Sequence, residues 1–427
     1  MSILLKNATY IDWKTLEFSH INILVGQGSD DIRFIEHTDK SIRQSDHEVL
    51  DCKGKLVTKS FAVGHHHVYS ALARGMGAPK KNPENFYEIL QYVWWTLDKC
   101  LDHEMIEYSA LVTAMACAKA GSTFVIDHHA SPYAVTGSLE IISSAFDKVG
   151  VSHLLCYEIS DRDGKSISRE GLEETESYLR HHQGLVGLHA SFTVDNDTLN
   201  RAVDLMHRYD SGIHIHAAED LYDQDSCLRK YGKRVIERFH ESGMLQSPKT
   251  ILGHCIHLND NEKDIIRNSP CRVVQNSESN MNNNVGYFNG EHLGQNIMLG
   301  TDGMHSDMLR SAKAAFFAGQ GTDNITYQSA YQRLRNVNRY LSENKFNGDG
   351  DNNLIVLDYD TPTPINQNNF SGHFIYGINS NHVRDVISNG KLIVKNRKIV
   401  TVNESEILEA SKKCSTRLWK KMQEIKV

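Results

Sequence analysis

No apolar run in this sequence approaches the ~20 residues that a membrane-spanning helix needs, which argues against a membrane protein. The opening residues, Met1-Ser2-Ile3-Leu4-Leu5-Lys6, turn polar at once and lack the shape of a signal peptide. Proline is scarce, at 7 of 427 residues, and no low-complexity tract occurs, so disorder is not expected. The 8 cysteines are scattered and none forms a Cys-x-x-Cys pair. That pattern is not a disulfide scaffold, and a reducing cytoplasm suits it. Basic residues are outnumbered 46 to 53, for a net charge of −7. A mildly acidic surface argues against nucleic acid as the main partner, because phosphate binding needs a basic face. What the chain does have is histidine, 23 residues of it.

Eight short runs rich in Val, Ile, Leu or Thr fall at 56–67, 122–130, 152–161, 185–194, 212–219, 250–258, 272–280 and 296–304. Such runs read as buried strands of parallel type. Between most of them apolar residues repeat every three or four positions and stop at glycine: Met105, Tyr108, Val112 and Met115 before Gly121; Leu139, Ile142, Phe146 and Val149 before Gly150. These are helices with left-handed C-caps. Eight strand–helix alternations predict an α/β fold, a (β/α)8 barrel over residues 57–352. Short alternating strands occupy residues 1–56 and 353–402, one of them placed at 374–377, and a β-sandwich built from both ends is expected beside the barrel. Asn389-Gly390 marks a tight turn. An amphipathic helix over 403–427 closes the chain.

The first barrel run ends in Gly64-His65-His66-His67. Strand side chains alternate, so His65 and His67 share a face and His66 points away. His216 ends the fifth run, with Glu219 three residues on, and His214 lies one strand repeat deeper, as a core histidine. His254 is near the top of the sixth run, where His257 opens a solvated loop. Asp302 follows the eighth in Leu-Gly-Thr-Asp-Gly. The C-terminal edge of a barrel is where chemistry occurs. His65, His67, His216 and Asp302 make an N3O set for one divalent metal, zinc first and iron(II) second. A divalent ion lowers the pKa of its water to about 7. Glu219 can carry that proton, and His254 can orient the resulting hydroxide.

At these residues the chain resembles the amidohydrolase superfamily, in its mononuclear deaminase and chlorohydrolase branch. The matching motifs are His65-x-His67, His216-x-x-Glu219, His254 in Gly-His-Cys, and Asp302. Longer stretches, among them Cys156-Tyr157-Glu158-Ile159-Ser160-Asp161-Arg162 and Ser279-Asn280-Met281-Asn282-Asn283, are similar to the SsnA-like aminohydrolases. The resemblance implies a purine-like heterocyclic substrate. Two departures stand out: Lys59-Ser60-Phe61 replaces Pro-Gly-Phe, which would loosen the entry to the first strand. Asn276-Ser277-Glu278-Ser279-Asn280 lacks the usual proline. No lysine ends the fourth strand, so one metal is expected rather than two.

On the substrate side, the resemblance implies that His189 touches the substrate. Glu158, Asp161 and Arg162 either read a polar heterocycle's edge or form a salt-bridge cluster. Arg74 binds an anionic or carbonyl group or ties down its loop, and Asn280 is assigned to the substrate. One of His128 and His129 faces inward. Trp94 and Trp95 read as a buried helix face sooner than a lid. The expected activity is hydrolysis of a C–N bond by deamination through metal-bound hydroxide. Ring opening of a cyclic amide, or a silent scaffold, are the alternatives. By analogy with such barrels the expected assembly is a homodimer.

Overall fold

The computed structural model describes residues 2–26, 31–38 and 43–425. Eight parallel strands carry the molecule: β1 Phe61–His66, β2 Ser122–His129, β3 Ser152–Tyr157, β4 Val186–Ala190, β5 Ile213–Ala217, β6 Ile251–His254, β7 Arg272–Gln275 and β8 Ile297–Leu299. Each lies within an expected run but is shorter, because the last residues of each run leave the ladder to form the rim. Continuous pairing links β1–β2–β3 and β4–β5–β6–β7–β8. Isolated parallel bridges, Leu155 to Gly184 and Ile159 to Leu188, join the β3 end to the β4 end, and His66 to Asp302 joins β1 to the turn after β8. The succession is cyclic.

The last junction sets the chemistry. The backbone N–H groups of Thr301 and Asp302 both donate to His65 O, at 3.0 and 3.1 Å. His66 points away, as alternation requires, and its Nδ1 donates to Asp302 O at 2.6 Å. Gly64 permits this approach, since a Cβ there would lie 2.6 Å from Leu299 O.

Apolar side chains fill the inside of the ring: Ala62, Phe124, Ile126, Leu154, Ile251, Val274 and Met298 pack with Val337 and Tyr340 of the helix Tyr327–Glu343. Outside it, helices such as His103–Lys119, Ser138–Val149 and Asn196–Arg208 bury their apolar stripes against the strands. Gly150 caps the second at φ +91°.

Strands from both chain ends form one nine-stranded mixed sheet with its own core around Leu5, Ile23, Val57 and Val356. The run 56–67 therefore divides. Leu56–Lys59 joins this sheet, pairing antiparallel with Leu354–Leu357, and Phe61–His66 enters the ring. Fully buried Arg335 holds the crossing by donating to Lys59 O and Ser60 O at 3.0 and 2.7 Å, and Ser60 N donates to Asn353 O. The entry that lacks Pro-Gly is thus tied down, not loosened. Two elements differ from expectation. Residues 374–377 are not a strand but the end of a helix, Phe370–Tyr376, in which Phe370 and Phe374 share an inward face. The run 272–280 turns helical at Ser277–Asn282, so Asn280 sits on a helix. No helix among the described residues is long and apolar enough to cross a membrane.

Candidate active site

His65, His67, His216 and Asp302 converge: one ligand atom from each lies within 4.8 Å of every other. His67 Nε2 is 3.1 Å from His216 Nε2 and 3.1 Å from Asp302 Oδ1, and His65 Nε2 is 3.5 Å from Asp302 Oδ1. The hydrogen bonds behind the rings fix their tautomers. His67 Nδ1 donates to His128 O at 2.6 Å and His216 Nδ1 donates to His189 O at 2.8 Å. Both Nε2 lone pairs then face inward, as metal-binding imidazoles require. His65 Nδ1 lies 2.9 Å from Nε2 of His214, so the core histidine of β5 supports a ligand of β1.

The residues fit a divalent cation. His65 Nε2 is fully buried with no hydrogen-bond partner, and two lone pairs 3.1 Å apart repel unless a positive charge lies among them. Three neutral imidazoles and one carboxylate suit zinc or iron(II). Burial pulls the His67 imidazole down, yet the hydrogen bond and charge of Asp302 raise it to about 9, and the proton so held would be released on metal binding. Burial opposes ionisation of Asp302, yet the His65 and His67 imidazoles beside it hold its carboxyl well below the usual range.

Glu219, His254 and Asp302 form a second convergence. His254 Nε2 lies 3.5 Å from Glu219 Oε2 and 3.8 Å from Asp302 Oδ2. Its Nδ1 donates to Asn280 Oδ1 at 2.7 Å, which leaves Nε2 free and aimed at the site. Burial, reinforced by Asp302, raises Glu219 well above the ordinary carboxyl range. Several rim positions adopt left-handed backbone without being glycine, among them Ala218 at φ +48°, His254 at +67°, Cys255 at +54° and Asp302 at +50°. Each costs about 1–3 kcal/mol, and such strain gathers at functional sites.

An open pocket lies over these groups. Glu158, Arg162 and His189 line it with His67, His216, Glu219 and Asp302. His128 is the inward one of its pair: Nδ1 is 3.1 Å from Glu158 Oε2, and Nε2 donates to the carbonyls of Leu188 and His214. His129 turns to Ser131 instead. Burial works against a charged Glu158, but His189, His128 and Arg162 hold its pKa well below the usual carboxylate range. Asp161 is spent accepting from Asp195 N and Thr198 Oγ1 at the start of the helix Asn196–Arg208.

Two assigned substrate contacts are not brought to the pocket. Arg74 is exposed at the end of a short 3-10 turn, Val68–Ala73, which carries its side chain outward. Asn280 lies one layer behind, spent on His254. Trp94 and Trp95 line the pocket, where the π-helical turn Leu90–Trp94 carries them, and Trp95 is also buried at the start of the helix Trp95–Lys99, as the helix-face reading expects. Sequence reasoning missed Tyr87, Phe192 and Tyr222. Tyr87 stacks on Tyr222 at 4.4 Å, and Phe192 meets Tyr222 edge-on at 5.2 Å. Aromatics just beyond the ends of β4 and β5 were the available signal. It also missed Ser279, whose hydroxyl donates to Asp302 at 2.5 Å.

The amidohydrolase family model matches residues 62–334. A 5'-deoxyadenosine deaminase of Methanopyrus kandleri is 28% identical over 346 residues, covering 76% of this chain and 78% of that protein. A 5-methylthioadenosine/S-adenosylhomocysteine deaminase of Thermoanaerobacter pseudethanolicus is 23% identical, over 96% of this chain and 97% of that one. Among solved structures, an adenosine deaminase from Xanthomonas campestris with bound zinc superposes with a TM-score of 0.82. It has 16% identity and covers 97% of this chain and 98% of that one.

Proposed function

The chain belongs to the amidohydrolase family, and from that premise we propose that it is a metal-dependent deaminase of a purine-like heterocycle. The cyclic strands are read as a (β/α)8 barrel and the terminal sheet as its sandwich domain. The observation that carries the proposal is the meeting at one rim of an N3O donor set with the Glu219 carboxyl and an oriented His254. His65, His67, His216 and Asp302 would hold the cation, which when bound activates water for attack. Net reaction forms a C–O bond from water to the amine-bearing carbon and breaks its C–N bond, releasing ammonia. Asp302 and His254 receive and steady the proton lost by water. Glu219 delivers a proton from its carboxyl to the ring nitrogen beside the reacting carbon and regains one from the new hydroxyl as the carbonyl forms, while the proton taken from water passes to the amine, which leaves as ammonia. Tyr87, Trp95, Phe192 and Tyr222 bind the planar ring and exclude water. The deaminase names of the two relatives support this choice of leaving group.

The test is an ammonia-release screen over aminopurines, their oxidised derivatives and small cyclic amides, with ring absorbance followed in parallel. Ammonia with the ring chromophore retained is the expected result. Loss of ring absorbance without ammonia would instead establish ring opening.

A further inference from the structure

The pocket receives two buried carboxyl groups, Glu219 after β5 and Glu158 after β3. Glu158 Oε2 faces His128 at 3.1 Å. Its other oxygen, Oε1, has Arg162 Nη1 at 3.7 Å and His189 Nε2 at 4.0 Å, both beyond hydrogen-bond length. Arg162 spends Nη2 on Asp98 and Nε on Asp163, and its plane lies over Trp95 at 5.1 Å. Nη1 remains, held toward Oε1. One acceptor and one donor therefore stand side by side on the pocket wall, and neither makes a hydrogen bond to another side chain among the described residues.

A carboxylate only accepts and a guanidinium only donates. Their complement is a ring edge with N–H beside C=O, which is a lactam. Position narrows the match further. One carboxylate oxygen of Glu158 lies within 4.8 Å of a ring nitrogen of His67 and of His216, which sets the ring edge it binds beside the candidate metal centre. Glu219 faces the same pocket beside His254 and, as the proton donor of the proposed reaction, needs an unprotonated ring nitrogen on the other side of the carbon under attack. Resting on the deaminase reading, we infer that this chain selects amino-lactam heterocycles. Their amine-bearing carbon lies between a ring N–H accepted by Glu158 and a ring nitrogen protonated by Glu219, with the carbonyl held by Arg162. An adenine-type ring has no N–H beside its amine-bearing carbon and would set a lone pair against the Glu158 carboxylate.

Guanine and 2-aminopurine bear the amine on the same carbon and differ in the lactam. The kcat/KM of the metal-loaded enzyme is measured by ammonia release on guanine, pterin, 2-aminopurine and 5'-deoxyadenosine. Guanine or pterin is expected to exceed the other two by at least about 100-fold, because a site built around a substrate N–H rejects the analogue lacking it. Glu158→Gln, whose amide can donate, is expected to lower kcat/KM on the amino-lactam and to shrink its advantage over 2-aminopurine below about 10-fold, with metal content unchanged. The wild-type comparison decides even if the variant fails to fold. Turnover of 2-aminopurine or 5'-deoxyadenosine as fast as guanine and pterin overturns the inference and leaves the deaminase reading standing. Ammonia from none of the four, nor from any amine in the wider screen, overturns both.

Discussion

Glu219 and Asp127 are both buried acids with raised pKa values, and they differ in what the proton does. Glu219 faces the pocket beside His254. Glu219→Gln keeps the shape of the side chain but cannot pass a proton. We expect kcat to fall about 10³-fold with metal content unchanged, measured by steady-state kinetics beside elemental analysis. The raised pKa also sets a sign: activity needs the protonated carboxyl, so kcat/KM falls on the alkaline side, and the residual activity of the variant lacks that limb. Asp127, at the top of β2, accepts from Val68 N at 2.8 Å through Oδ1, while Oδ2 is buried without a partner. Burial pushes its pKa up to about 7. The folded state thus binds this proton more tightly than the unfolded chain. The stability it contributes is full below about pH 4 and is lost as pH rises through about 7. Asp127→Asn imitates the protonated form. Denaturant midpoints should show the variant gaining on the parent between pH 5 and 7, by at most about 1.4 kcal/mol per pH unit.

At the scale of elements, the segment over residues 86–99 decides what the site can hold. Its π-helical turn turns Trp94 and Trp95 to the pocket, and Tyr87 bridges to Tyr222 on the helix Leu221–Tyr231. Tyr87→Ala opens that wall without touching a candidate ligand. KM should rise about 10-fold, the equivalent of roughly 1.4 kcal/mol of lost ring contact, with kcat changed little. Elements were mostly legible as apolar runs and stripes. They were not legible where two signals overlap. Phe370 and Phe374 lie in an apolar patch too short to distinguish period two from period 3.6, and tertiary burial of both on one face made it a helix. Leu56–Lys59 and Phe61–His66 read as one strand because nothing local marks Ser60 as a crossing. The buried Arg335, distant in sequence, makes it one.

For the whole molecule, the proposed cation links strands β1, β5 and β8 and should brace the ring. At a thousand-fold excess over its Kd a bound ion stabilises the folded state by about 4 kcal/mol. Chelation should therefore lower the Tm and zinc should restore it, measured by scanning fluorimetry. His65→Ala with His67→Ala should abolish the response.

The sequence by itself determined the strand runs, the glycine-ended helices and the identity of the candidate ligands, since period, cap and side-chain chemistry are local properties. Only the tertiary structure decided which donors share a point. Asp302 meets His65 through backbone bonds across a closure of the ring that no local pattern encodes. Folding likewise turned His128 inward, sent Arg74 out to solvent and assembled an aromatic wall from three separate segments. Proximity between residues far apart in the chain is a consequence of the whole packed core, and no short stretch carries it.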